Sequence, residues 1–228
     1  MRIALFTETF LPKVDGIVTR LKHTVDHLQR LGDEVMVISP EGGLREYRGA
    51  QIYGVSGFPL PLYPELKLAL PRPAIGEALE KFQPEIIHVV NPAVLGLAGI
   101  YYSKVMAIPL VASYHTHLPK YLEHYGLGVL EGLMWELIKT VHNQARLNLC
   151  TSTAMELELA EHGVERLAVW QRGVDTDLFR PALASQAMRD RLSQGHSQAP
   201  LLLYIGRLSA EKEIDRKSTR LNSSHLVI

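Results

Sequence analysis

Short apolar, β-branched runs recur along this chain, separated by longer stretches of helical periodicity, and no other feature constrains the fold as strongly. The runs at residues 2–6, 34–38, 51–55, 85–90, 109–113, 147–150 and 167–169 read as strands. Helices read at 73–82, 94–105, 130–145 and 152–162, preceded by one starting near Ile17 that carries Val18, Leu21, Val25 and Leu28 on one face and stops at Gly32. A buried strand followed by a covering helix, repeated, predicts an α/β fold: a parallel sheet with helices on both faces and ligands at the carboxyl ends of the strands.

The rhythm breaks after residue 170. Arg172-Gly173-Val174-Asp175 reads as a turn, Phe179-Arg180-Pro181 as extended chain and 185–194 as a helix, so residues 171–198 form an expected linker. Pro200 to Ile205 reads as a new buried strand, closed by Gly206. Residues 1–170 are thus expected to form one domain and 199–214 to open a second. Back-translated, residues 215–225 resemble a sequencing adapter, and they carry little apolar periodicity; residues 215–228 are therefore read as a non-native tail and left out of the fold argument.

Charge narrows the function. Lys+Arg 24 against Asp+Glu 24 leaves no net charge, so nothing favours nucleic acid, which needs a basic surplus. The single cysteine, Cys150, rules out an internal disulfide framework and suits a reducing compartment. No secretory leader and no uninterrupted run of about 18 apolar residues is read, so a cytoplasmic chain able to lie against a membrane is expected.

Four segments carry candidate chemistry. Strand one runs into Thr9-Phe10-Leu11-Pro12-Lys13-Val14-Asp15-Gly16, with a helix directly after the glycine, an arrangement that lets backbone N–H groups approach a phosphate; a plain turn glycine is the alternative. No dinucleotide fingerprint of spaced glycines is present. Ser113-Tyr114-His115-Thr116-His117 closes a buried strand at its carboxyl end, and His115 is chosen as the group facing the cleft because it comes first after the strand. Zinc is not expected at these histidines, because neither they nor His88 come with a completing carboxylate or cysteine signature. Gly206-Arg207-Leu208-Ser209-Ala210-Glu211-Lys212 places a forked cation and a point charge on a loop at a strand end, which suits a diphosphate. Asp175-Thr176-Asp177 imitates a metal-holding pair but sits in the linker, where Asp caps turns; Asp175 is expected to act at the hinge or donor site instead.

Taken together, the glycine turn, the Ser-Tyr-His-Thr strand end, the Arg-Gly-Val-Asp hinge and the Gly-Arg-Leu-Ser-x-Glu-Lys loop resemble the GT4 family of retaining glycosyltransferases over residues 1–214. That resemblance implies the two-domain GT-B architecture, with an acceptor-side Rossmann-like domain first and a donor-binding domain, present here only as its first strand, second. It also implies roles. Gly16, Arg172 and Asp175 would lie at the donor, His115 would border the transferred sugar, and Arg207 and Lys212 would neutralise the leaving diphosphate, where preorganised cations contribute most to rate.

Phe10 to Arg20, Phe58 to Pro71 and Trp170 to Asp175 are similar to the family's sulfolipid-forming branch, which implies a UDP-sulfoquinovose donor, a diacylglycerol acceptor and no cofactor or motif-bound metal. A chain cut this early in its second domain is expected to turn over little. Lipid mannosyl- or glucosyltransferases, and sugar-nucleotide epimerases of the same architecture, stay open as alternatives. A diacylglycerol acceptor requires a membrane-facing surface, at a thylakoid or the cytoplasmic face of a plasma membrane. Two segments are proposed for it: the proline-broken loop 57–70 with Phe58, Leu60, Leu62 and Tyr63, and an interfacial helix within 121–139.

Overall fold

The computed structural model describes all residues except 61–62, 71, 125, 127, 172, 206–225 and 228, and the side chains of 58–60, 63–68, 121, 123–124, 202 and 226–227 are also outside the description. Two compact units emerge, one of 1–119 with 129–172, the other of 120–128 with 173–228.

In the first unit the strands are β1 (Arg2–Thr7), β2 (Glu34–Pro40), β3 (Glu46–Tyr47), β4 (Ala50–Val55), β5 (Gly57–Leu60), β6 (Tyr63–Ala69), β7 (Ile86–Val90), β8 (Leu110–Ser113), β9 (Leu147–Cys150) and β10 (Leu167–Val169). Helices α1 (Gly16–Arg30), α2 (Pro73–Phe82), α3 (Val94–Val105), α4 (Leu118–His124), α5 (Glu131–His142) and α6 (Thr153–Glu161) connect them, α4 running past Pro119 into the second unit. Eight strands form one sheet in the order β10-β9-β8-β7-β1-β2-β4-β3. All pairs in it are parallel except β3 with β4. The α/β expectation therefore holds, with one short antiparallel strand on the edge.

The core explains the order. Central strand β1 is buried from Ile3 to Thr7, as a parallel strand covered on both faces must be. On one face Leu5 and Val37 pack with Leu21 and Val25 of α1; on the other Phe6, Ile38 and Val89 pack with Ile75 and Leu79 of α2 and Leu95 of α3. Helix α3 comes close because Gly99 has no side chain: a Cβ there would sit 2.8 Å from Val89 and 2.9 Å from Phe6.

Two expectations need correction. Residues 57–70, expected as a loop, fold into the antiparallel hairpin β5–β6, with Pro59 opposite Lys67 and a register shift at Pro59/Leu60. In a two-stranded ribbon each strand has an unpaired edge, so prolines that would break a central strand are tolerated. The side chains of Phe58, Leu60, Leu62 and Tyr63 fall outside the described residues. The interfacial segment is not one helix: α4 and α5 are separated by a 3-10 turn at Gly128–Leu130. Trp135, proposed for the membrane, is 5% exposed and packs with Ile138 and Leu159, while Leu133 and Leu137 face outward. Helical period alone could not say which side of α5 faced the sheet.

The second unit contains helix α7 (Gln186–Leu192) and a two-residue parallel pair between β11 (Leu202–Leu203) and β12 (Leu226–Val227). Ser185 caps α7 through the N–H of Met188, and Arg189 closes the following loop by donating to the carbonyls of Ser197 and Ala199. Among the described residues no helix is long and apolar enough to cross a membrane.

Candidate active site

From β1 the chain runs outward through β2 to β4, then returns and proceeds outward on the other side through β7, β8, β9 and β10. The order thus reverses between β1 and β7, and in open sheets of this kind ligand sites are built from the loops at the carboxyl ends of the strands around such a reversal.

The loop after β1 carries Glu8 to Gly16. Asp15 caps α1, accepting from the N–H groups of Ile17 at 2.9 Å and Val18 at 2.8 Å. Its other oxygen accepts from the Thr9 hydroxyl at 3.1 Å and lies 3.7 Å from the Lys13 ammonium. Gly16 is exposed, its φ lies outside the left-handed region, and a Cβ would meet nothing within 4 Å. Backbone conformation therefore does not require glycine at this turn. The structure also limits the phosphate reading: two first-turn N–H groups are already satisfied by Asp15, and a ligand would approach over the open side of Gly16.

Glu8 performs a similar task for the next helix. Ala93 offers α3 no side-chain cap, and Glu8 accepts from the N–H of Gly96 at 3.0 Å instead. Desolvation raises the Glu8 carboxyl above its ordinary pKa, with the N–H groups of Gly96, Leu95 and Ala93 pulling the other way.

After β7, Asn91 adopts φ 53°, a conformation Asn tolerates better than most residues. Its N–H donates to the Ser113 carbonyl at 2.7 Å, and its Oδ1 accepts from the N–H of His115 at 3.4 Å and of Thr116 at 3.2 Å. Asn91 thereby holds the segment that presents His115.

The two histidines diverge because β8 ends at Ser113; in an unbroken strand residues two apart would share a face. His115 turns toward Trp170, 5.8 Å between ring centres, and its Nε2 lies 3.0 Å from the Ser113 hydroxyl. His117 turns toward Trp135 and pairs with Glu158 at 2.7 Å. That pocket also holds Tyr114, whose phenol is raised by burial first and the Glu158 charge second. On the His115 side, His88 approaches the same serine hydroxyl at 2.9 Å and the same indole at 5.8 Å, while the Arg20 guanidinium lies 4.2 Å over the other part of Trp170 and donates to its carbonyl. Burial drives His88 down to about 4, so its ring is neutral at pH 7. Sequence reading missed Arg20, Asn91 and Trp170 as site residues, because their partners lie far along the chain.

An open glycine turn and a histidine-bearing strand end on the same edge of the sheet are matched by relatedness: residues 14–178 fit the description Glycosyltransferase Family 4. The chain belongs to glycosyltransferase family 4.

Within that family it is 36% identical to the sulfoquinovosyl transferase SQD2 of Arabidopsis thaliana, the match covering 94% of this chain and 43% of that protein. It is 32% identical to a GDP-mannose-dependent alpha-mannosyltransferase of Mycolicibacterium smegmatis, covering 95% and 59%. The alpha-monoglucosyldiacylglycerol synthase of Streptococcus pneumoniae is 26% identical, covering 94% and 50%. The chain thus spans about half the length of these relatives. Among solved structures, sucrose-phosphate synthase from Thermosynechococcus elongatus superposes with a TM-score of 0.69 at 16% identity, covering 96% of this chain and 59% of that one. The likeness shows the fold, the Rossmann-like domain of a GT-B glycosyltransferase.

Of the residues assigned to the donor side by resemblance, Gly16 lies at the turn after β1. Asp175, in the second unit, caps its own turn through the N–H groups of Asp177 and Leu178. Arg172, Arg207 and Lys212 lie outside the described residues.

Proposed function

We propose that this family 4 chain forms the acceptor-side half of an enzyme that moves a sugar from a nucleoside-diphosphate donor to a lipid, specifically sulfoquinovose from UDP to diacylglycerol. The observation that carries the reading is the shared sheet edge: β8, which leads into His115, and β1, which leads into the open Gly16 turn, are two strand spacings or roughly 10 Å apart beside the strand-order reversal. Similarity to SQD2 supports the donor, and similarity to a glucosyldiacylglycerol synthase supports a lipid acceptor.

In this reading His115 touches the transferred sugar. Gly16, Arg172 and Asp175 hold the donor, and Arg207 and Lys212 stabilise the departing diphosphate, whose growing charge is where fixed cations lower the barrier most. The residues at 171–198 link the acceptor domain to a donor domain that begins at 199–214, and 215–228 are a foreign tail. Diacylglycerol stays in the bilayer, so the domain works peripherally at a membrane's cytoplasmic face, inserting apolar side chains. The hairpin with Phe58, Leu60, Leu62 and Tyr63 and the outward Leu133 and Leu137 of α5 are the surfaces proposed for this.

Expression of the whole reading frame, assayed with UDP-sulfoquinovose, UDP-glucose and GDP-mannose on diacylglycerol liposomes, tests donor and acceptor together. Preference for GDP-mannose would favour the mannosyltransferase reading, for which 32% identity speaks. Flotation of the chain with liposomes should persist at high salt and weaken in Leu133→Ser/Leu137→Ser. Absence of flotation at any salt sinks the membrane surface.

A further inference from the structure

Behind His115 two histidine rings share one buried hydroxyl. Ser113 is fully buried and His88 is 8% exposed, and both imidazole Nε2 atoms lie on the one serine hydroxyl, at 2.9 Å for His88 and 3.0 Å for His115. Trp170 lies against both rings and carries Arg20 on its own ring, which screens the bridge from bulk water. The groups facing the pair are thus Arg20 from α1, the backbone-binding Asn91 after β7, and Trp170 after β10.

A serine hydroxyl has one proton. Among the described residues this hydroxyl has no partner besides the two rings, so its proton goes to one of them and the other ring must donate to its oxygen. A neutral imidazole carries its single proton on one nitrogen only, so setting either ring sets the other.

We propose that Ser113 and His88 are positioning residues of the active site, a buried relay that fixes the orientation and tautomer of His115. The catalytic meaning of this rests on the transferase reading above, because His115 is the group placed at the sugar there. Its physical content does not. A histidine held in one tautomer meets a substrate without first reorganising, and each buried hydrogen bond that holds it contributes about 1 kcal/mol.

The test is nitrogen NMR of the full chain labelled at its ten histidines, near pH 8, with His88→Leu and His115→Asn used for assignment. In the unsubstituted chain the two Nε2 atoms should be complementary, one protonated and one bare. Two bare or two protonated Nε2 atoms overturn the relay, and this reading needs no variant to fold. His88 does not touch His115 in the relay, yet His88→Leu and Ser113→Ala should both collapse the separation between the His115 ring-nitrogen shifts while leaving His117 unmoved. An unchanged His115 signal in His88→Leu also overturns it. In the whole enzyme Ser113→Ala should lower kcat about tenfold with little change in KM, and Ser113→Thr should recover most of the loss. Complementary nitrogens in a protein that transfers no sugar would sink the transferase reading alone; turnover without complementarity would sink the relay alone.

Discussion

The turn after β1 and the segment after β8 stand at the same edge of one sheet, yet they are built on opposite plans. At Gly16 the backbone is open, nothing lies within 4 Å of a hypothetical Cβ, and the side-chain contacts of the turn gather on Asp15, which caps its own helix and meets Thr9 and Lys13. At His115 the ring and the backbone are both held, by Ser113, Asn91 and Trp170. One side is left clear for a ligand's backbone contacts; the other presents a side chain already oriented by buried neighbours. Substitutions at the first should alter binding and spare the fold, while substitutions at the second should alter chemistry and, behind the ring, stability.

The sharpest break of that contrast is His115→Ala in the whole enzyme, expected to lower turnover by about a hundredfold or more with an unchanged melting temperature. Equal losses from His117→Ala, whose ring pairs with Glu158, would erase the distinction between the two histidines.

Acid should expose the cost of the buried relay. The folded-state pKa of His88, about 4, lies below the ordinary value of 6.5, so the unfolded chain binds a proton first as pH falls. Stability is then lost from about pH 6.5 down to pH 4, by about 3 kcal/mol for this residue. His142, also lowered by burial, acts in the same sense, and Glu8, raised by burial, in the opposite one. Urea unfolding at pH 7 and pH 4 in the chain and in His88→Leu isolates the His88 share; equal pH slopes in both would contradict it.

The turn side predicts smaller numbers. Asp15→Ala removes the cap of α1 and should cost about 1 kcal/mol, whereas Asp15→Asn should cost little. Gly16→Ala should stabilise the isolated chain by a few tenths of a kcal/mol, since alanine is the better helix former and no atom opposes its Cβ. In the whole enzyme the same change should weaken donor binding. A destabilised chain with unaltered donor affinity would return Gly16 to a purely structural role.

Most of the fold was legible along the chain. Parallel strands buried on both faces must be short apolar runs, and their covering helices must show a helical stripe, so β1, β2, β7, β8 and β9 stood where the runs are. The β5–β6 hairpin was not legible, because Pro59 and Pro64 oppose a central strand and only pairing as an isolated ribbon makes them acceptable. His115 and Gly16 are candidates that a local pattern suggests, a chemical residue type in the segment after an apolar strand. The outward side of α5 and the gathering of Arg20, His88, Asn91 and Trp170 around His115 were decided by tertiary structure alone. Arg20 and Trp170 are 150 residues apart in sequence. Local composition dictates which segments must be buried, but only the order of the strands in the sheet determines which distant side chains share one hydroxyl and one indole ring.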